Sequence, residues 1–386
     1  LVEISYLYID YYGLPNQRLT LTSYQLKNLF KLFSLAIILL PTTVLATVYT
    51  VSNNANRPAQ YTNLQTAADA AAPNDTLLVT GSPATYGTLT LYKPLVVYGE
   101  AIEGSEFPIT TLGTVYCNRL NSSLSSSGSR FYGFHMTSIN FSGSFSGSTA
   151  GQNVLNDFIV ERCRINSGMT NTTYDGLSDV TFRNCYFRNS IITLDQEGAI
   201  ISDVSSIIFT NNVFENTLIR ALYGLIEFNG NVVIRNNIFI DRTTYSFQNA
   251  QQLVLENNIF YKAEPTGLEN STFNNNLTYL CNDNTIPYGT NIGSGNIENV
   301  DPMLVNYPAL GGVDHSWDWD YSLQPGSPAI GTGTNGSDIG INGGNSPVAN
   351  LYRYAKIPAV TTIDVPVSSV PVGGTLQINI EAVSRD

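Results

Sequence analysis

The sequence predicts an all-β fold: one parallel β-solenoid with a short N-terminal capping helix and a small C-terminal β tail. Three observations predict it. A strand–turn–strand unit recurs at intervals of 18 to 27 residues between Phe158 and Thr278. The 386-residue chain holds 41 asparagines, more than its 18 lysines and arginines together. Charged residues make up 12% of the chain, about half the usual share, while the apolar fraction is 43%. Low charge with abundant Asn, Thr, Ser and Tyr describes many strands joined by tight polar turns.

The repeat is the primary signal, because self-similarity at a fixed period decides architecture. Its copies are Phe158–Ile165, Val180–Phe187, Ile207–Phe214, Val232–Phe239 and Leu253–Phe260. A weaker copy lies at Ser271–Thr278 and a degenerate one at Phe131–Ile139. Each is a β-prone run, a two-residue polar turn and a second β-prone run. β-Branched and aromatic residues alternate with polar ones, so one side faces a core. The equivalent turn positions are Cys163, Cys185, Asn212, Asn237, Asn258 and Asn276. Asn tolerates the left-handed backbone of a sharp bend. Like residues stack in successive coils, so these side chains are expected to form a ladder. Propeller blades need roughly 40–45 residues and do not fit this spacing.

The remaining segments follow in chain order. Lys27 and Lys31 precede the apolar run Leu32–Leu40, and Val44-Leu45-Ala46 supplies small residues at a cut site. This is the pattern of a secretory signal peptide over 26–46. The run is too short for the roughly 20 residues of a membrane span. With Leu26 as the initiator, residues 1–25 read as an over-extended gene start without a fold. The mature chain, 47–386, then has no transmembrane span and holds 15 basic against 28 acidic residues. The solenoid with its cap and closing segment is expected over 47–346. Residues 347–386 read as a linker and a tail, with strands at Thr361–Val365 and Thr375–Ile380.

Four cysteines show no C-x-x-C spacing and no nearby His, which argues against zinc. Cys163 and Cys185 fall at equivalent repeat positions. Two readings stay open for them: small buried members of one stack, or a disulfide if the chain is exported.

The Asn-Asn-Ile/Val-Phe units resemble the right-handed parallel β-helix family, the pectin-lyase-like fold. Two further regions are similar to it. Tyr61–Asp75 reads as a helix cap, followed by strands at Thr76–Val79 and within Leu89–Gly99. Asp301–Leu304, Asp320–Ile330 and Asp338–Gly340 resemble the closing segment of uncharacterised bacterial β-helix proteins, often of Bacteroidetes type. The resemblance covers roughly residues 48–345 and speaks to fold far more than to activity.

It implies polysaccharide cleavage as one possible activity. Pectate-lyase-like enzymes use clustered Asp with calcium and an Arg or Lys base. Polygalacturonase-like enzymes use a Gly-His-Gly segment, absent here, since neither His135 nor His315 lies between glycines. The weak catalytic candidates are Asp195, Glu197, Asp203, Glu227, Asp241, Arg242, Lys262 and Glu264. They would supply an acidic pair or calcium site with a nearby base. Their plainer reading is solvated turn charge. Trp317 and Trp319, in the run Asp314–Tyr321, are candidates for stacking on sugar rings, or for covering the last coil.

A net charge of −12 excludes a nucleic-acid partner. The leading functional expectation is a secreted or surface-exposed protein, glycan-binding, adhesive or structural, without a recognisable active site. The alternative is a polysaccharide lyase or other carbohydrate-active enzyme acting on an acidic polysaccharide. A third reading is a subunit of a larger surface assembly. No metal or cofactor is expected, calcium entering only with lyase chemistry. Amino-terminal sequencing of secreted material should begin at Thr47; any earlier start would refute the proposed cut.

Overall fold

The computed structural model describes residues 46–100, 102, 108–121, 123–143, 154–173, 176–195, 204–222, 225–228, 231–307 and 319–348. It also describes the strand backbones 359–364 and 379–383. Residues 1–45, which hold the expected over-extended start and all but the last residue of the expected signal peptide, lie outside this set.

Ten strands form one parallel sheet, sheet 1, in unbroken chain order. It runs from Val48–Val51, Thr76–Val79 and Val96–Gly99 through Arg130–Tyr132 to Thr272–Asn274. Strand pairing in chain order, always parallel, is the signature of a coil stacked on the coil before it. Twelve strands form sheet 2. After the three-residue strand Leu89–Leu91 its early members are long: Thr111–Asn118, His135–Gly143 and Arg164–Thr173. After them a corner splits each coil. Tyr186–Arg188 and Ile191–Asp195 both pair with the single strand Arg164–Thr173. A third sheet of three short strands, Ile226–Glu227, Ala250–Gln251 and Leu268–Glu269, closes the later coils.

The first coils are covered by helix α1, Leu64–Ala70. The Asn63 side chain caps it by accepting from the Thr66 N–H at 2.9 Å. Leu64, Ala67 and Ala68 are buried in the same core as Val51 and Leu77. A polar-backed helix thus shields apolar surface that an open solenoid end would expose.

Inside, like residues stack on like. Phe187, Phe214, Phe239 and Phe260 form one column, with ring centroids 4.6–5.1 Å apart and planes within 24°. Phe182 and Phe209 stack beside it at 5.2 Å. The spacing follows from the strand separation of about 4.8 Å, which suits offset-stacked rings.

Beside these rings runs a polar column. The Asn212 N–H and Nδ2 both donate to Asn237 Oδ1, at 2.8 and 3.0 Å. Asn237 treats Asn258 alike, as Asn258 does Asn276. Each Nδ2 also donates backward, to the carbonyls of Phe182, Phe209, Ile234 and Leu255 respectively. Asn296 extends the column by one coil, accepting from the Asn276 N–H at 2.9 Å. The weak repeat at that end hid it. At the other end Cys185 donates its N–H to Asn212 Oδ1 and its thiol to the Val160 carbonyl. The Cys163 thiol faces the Phe131 carbonyl, the equivalent acceptor one coil earlier. All four cysteines are free and buried.

The bend and the ladder are separate tasks. The left-handed conformation belongs to the preceding residue: Arg162, Asn184, Asn211, Asn236, Asn257 and Asn275, at φ 51° to 55°. The expectation that the ladder asparagines themselves take the bend is corrected here. The second corner repeats the design. Asn189, Asn216, Asp241, Lys262 and Leu280 have positive φ. The residues after Asn189 and Asn216, Ser190 and Thr217, donate to the Ile165 and Phe187 carbonyls of the preceding coil.

The closing segment returns along the outside. Asn211 Nδ2 donates to the Ile341 and Gly343 carbonyls, and Asn236 Nδ2 to Asp338 O. Asn257 Oδ1 accepts from the Thr334 N–H, and Asn275 Nδ2 donates to Thr334 Oγ1. The bend asparagines are therefore also its docking points. Under it, outward Val213, Ile238, Ile259 and Leu277 form a second core with Leu304, Trp319, Ile339 and Ile341. In the tail, Ala359–Asp364 pairs antiparallel with Asn379–Val383, and the expected strand start at Thr375 lies outside the described residues. Their register places Asp364 opposite Asn379 and Ala359 opposite Val383.

Asn237→Ala should cost about 3 kcal/mol in urea denaturation, because it leaves several buried groups without partners. Asn237→Cys should cost less, since a thiol fills that place in two coils.

Candidate functional site

Two regions on the outer face of sheet 2 stand out. The first lies on Leu89–Leu91 and the long early strands that follow it. Thr90, Tyr116, Asn140 and Thr170 are paired in register across four coils. Thr114 and Ser138 form a neighbouring pair, joined by a 3.1 Å hydroxyl–hydroxyl hydrogen bond. Asn118, Ser142 and Thr172 form a third line. Alternation sends every second residue outward, so these lines share one face. Each is a hydroxyl or amide, none is charged, and all are at least partly exposed. Tyr116, at 36%, is the most open. Such a face can donate and accept hydrogen bonds over several coils and offers one aromatic ring.

One edge of this face carries a polar network absent from the sequence reading. Arg164 Nε donates to Asn166 Oδ1 at 3.0 Å, which directs Asn166 Nδ2 toward His135 Nε2 at 2.8 Å. That contact places the His135 proton on Nδ1. Burial, and then the Arg164 charge, push the imidazole down to about 4, so it is neutral at physiological pH. One coil on, Tyr186 donates its hydroxyl to Glu215 Oε2, and Arg188 Nε pairs with Glu215 Oε1 at 3.2 Å. These residues are adjacent only through coil register. The aligned repeat copies contain that signal, at the outward positions following each ladder residue.

The second region is the corner that carries Asp241 and Lys262. Both are left-handed residues in successive coils, at φ 55° and 51°. Tyr307, from the closing segment, donates its hydroxyl to Asp241 Oδ2 at 2.6 Å. The Lys262 ammonium lies 5.4 Å from the Tyr261 ring centre and 5.8 Å from that of Tyr307. Tyr307 in turn meets Tyr261, Trp319 and Tyr321 at 5.0, 5.1 and 5.6 Å. Burial, then the bond to Asp241, holds the Tyr307 phenol protonated well above its ordinary range. Burial likewise pushes Tyr261 up to about 12. Burial lowers Lys262, opposed by the charge of Asp241. A phenol raised in this way donates a hydrogen bond and does not act as a base. An ammonium seated between two rings gains cation–π attraction. The corner has the chemistry of a latch for the closing segment.

The other candidates are dispersed. Arg242 is held by the Tyr245 carbonyl and Asn216. Glu227 accepts from Gln251 on sheet 3 at 3.2 Å. Glu264, 7% exposed, accepts from the Asp283 N–H at 3.2 Å, while its Oε1 is buried without a partner. Asp195 ends the strand Ile191–Asp195, opposite Ala221. Trp319 is 8% exposed and packed on Tyr307, so its ring is core rather than a sugar platform. Glu197, Asp203 and Trp317 lie outside the described residues. Among the described residues, no group of three His, Cys, Asp or Glu is placed to hold a metal ion. No helix among them is long and apolar enough to cross a membrane.

No protein-family model and no curated protein matches this chain.

Tyr307→Phe should lower stability by about 2 kcal/mol near pH 7, the scale of a buried hydrogen bond to a charged group. The raised phenols also set an alkaline limit. Folding favours the protonated form of Tyr261 and of Tyr288, which burial likewise pushes up to about 12, so their contribution is full below pH 10 and is lost as pH rises through about 12. Circular dichroism with tyrosinate absorbance should show unfolding and ionisation together in that window.

Proposed function

We propose that this chain is a secreted or surface-exposed β-helix protein of the pectin-lyase-like kind that binds an uncharged glycan, serving adhesion or structure. The observation that supports this is the broad, uncharged hydroxyl and amide face centred on Tyr116. A neutral sugar chain presents hydroxyls at close intervals, and such a face can meet them from several coils. Each hydrogen bond contributes only about 0.5–1.5 kcal/mol net, so a rigid array is what makes the sum useful. Tyr116 adds apolar contact for a ring. The net charge of −12 disfavours an acidic polysaccharide. No cofactor is required for this role.

Lyase action on an acidic polysaccharide, with calcium, is the second reading, and the proximity of Asp241 and Lys262 favours it. The seating of both groups against Tyr307 speaks against a free base there. Purified protein should be tested on neutral and acidic polysaccharides, with and without calcium, for binding and for unsaturated products. Binding to a neutral glycan, weakened about tenfold or more by Tyr116→Ala with Asn140→Ala, is the expected result. Cleavage abolished by Asp241→Asn or Lys262→Met would replace the binding reading with the enzymatic one.

A further inference from the structure

The two cysteines of the ladder share the register of the asparagines but set two thiols in successive coils. Glu161 pairs with Arg183 and Arg164 pairs with Tyr186, so Cys163 and Cys185 are held face to face between two in-register pairs. Adjacent strands lie about 4.8 Å apart, within the 4.4–6.8 Å Cα range of disulfides. The residues before them, Arg162 and Asn184, share one backbone conformation, at φ 52° and 54°. Both thiols therefore leave the backbone in the same direction. Each reaches a carbonyl one coil back, Phe131 and Val160. Cys117 has no such neighbour: its register partners are Leu91 and Phe141. Cys281 sits at the far end, against the Phe260 and Ala263 carbonyls.

We propose that Cys163 and Cys185 are a redox site: folded under oxidising conditions, they close as a disulfide linking two successive coils, while Cys117 and Cys281 stay thiols. The oxidant is a small-molecule disulfide. One cysteine thiolate attacks it, releasing one thiol and leaving a mixed disulfide. The second cysteine displaces the remaining half, so two protein thiols are oxidised and one disulfide is reduced to two thiols. Both cysteines are 0% exposed in the folded chain, so the exchange takes place as the coils form. The bond would close a loop of 22 residues, enough to raise the melting midpoint by about 5 °C.

The full chain should be unfolded, refolded in a mixture of reduced and oxidised glutathione, then denatured, alkylated without reductant and mapped by mass spectrometry. A parallel sample is refolded in excess reductant. The expected result is a Cys163–Cys185 cross-linked peptide, alkylation at Cys117 and Cys281 only, and a higher melting midpoint than in the reduced sample. Four alkylated cysteines, or a link through Cys117 or Cys281, would overturn the proposal. Cys185→Asn places the residue of the next coils in the ladder. This variant should fold and carry three alkylated cysteines; a disulfide persisting in it would equally overturn the assignment.

Discussion

Every other feature of this molecule depends on one arrangement: a side-chain amide buried at a bend, bonded both forward and backward along the stack. A solenoid coil must turn sharply, and a turn leaves backbone groups without strand partners. Here the turn lies inside the core, beyond reach of water, where an unpaired group costs about 1–3 kcal/mol. Asn answers both demands with one planar group. Its oxygen receives two donors from the coil before it, and its nitrogen returns to a carbonyl of that same coil. The bonds require the coils to stay in register, and register in turn stacks the phenylalanines. Polar satisfaction and apolar packing are therefore set by the same residue.

Much of this was legible in the sequence because it is periodic. Asn211-Asn212, Asn236-Asn237 and Asn257-Asn258 recur beside alternating apolar residues, and period alone identifies a stack of coils. The division of labour within each pair was not legible. Asn suits both the left-handed bend and the inward hydrogen bond, so its identity cannot separate them. The second corner was hidden for a related reason. Its column reads Asn189, Asn216, Asp241, Lys262, Leu280, five positions united by backbone conformation and not by side-chain type. Asp241 and Lys262 drew attention as charges, while their shared property is a positive φ.

The candidate site was least visible. Thr90, Tyr116, Asn140 and Thr170 are 24 to 30 residues apart, in the coils before the repeat becomes regular. Their common feature is what they lack, and absence of charge draws no motif. The Tyr307–Asp241 bond spans 66 residues and the Asn211–Gly343 bond 132. Contacts at such separations obey no local rule of spacing. The low charge of the chain, by contrast, takes on a location. In the coils of the long strands it leaves a flat neutral surface, and in the later coils it leaves apolar surface for the returning segment to cover.

That returning segment bears on how the molecule comes apart. In a simple stack each coil touches only its neighbours, and loss of structure can creep inward one coil at a time. Residues 334–343 instead hold Asn211, Asn236, Asn257 and Asn275, members of four successive coils, in one run of chain. A coil in that span cannot loosen without also shedding bonds made by the others. The fastening converts that part of the linear array into a cooperative block, and among the described residues it reaches the coils of Asn211 to Asn275 and not the long-stranded coils where the neutral face lies.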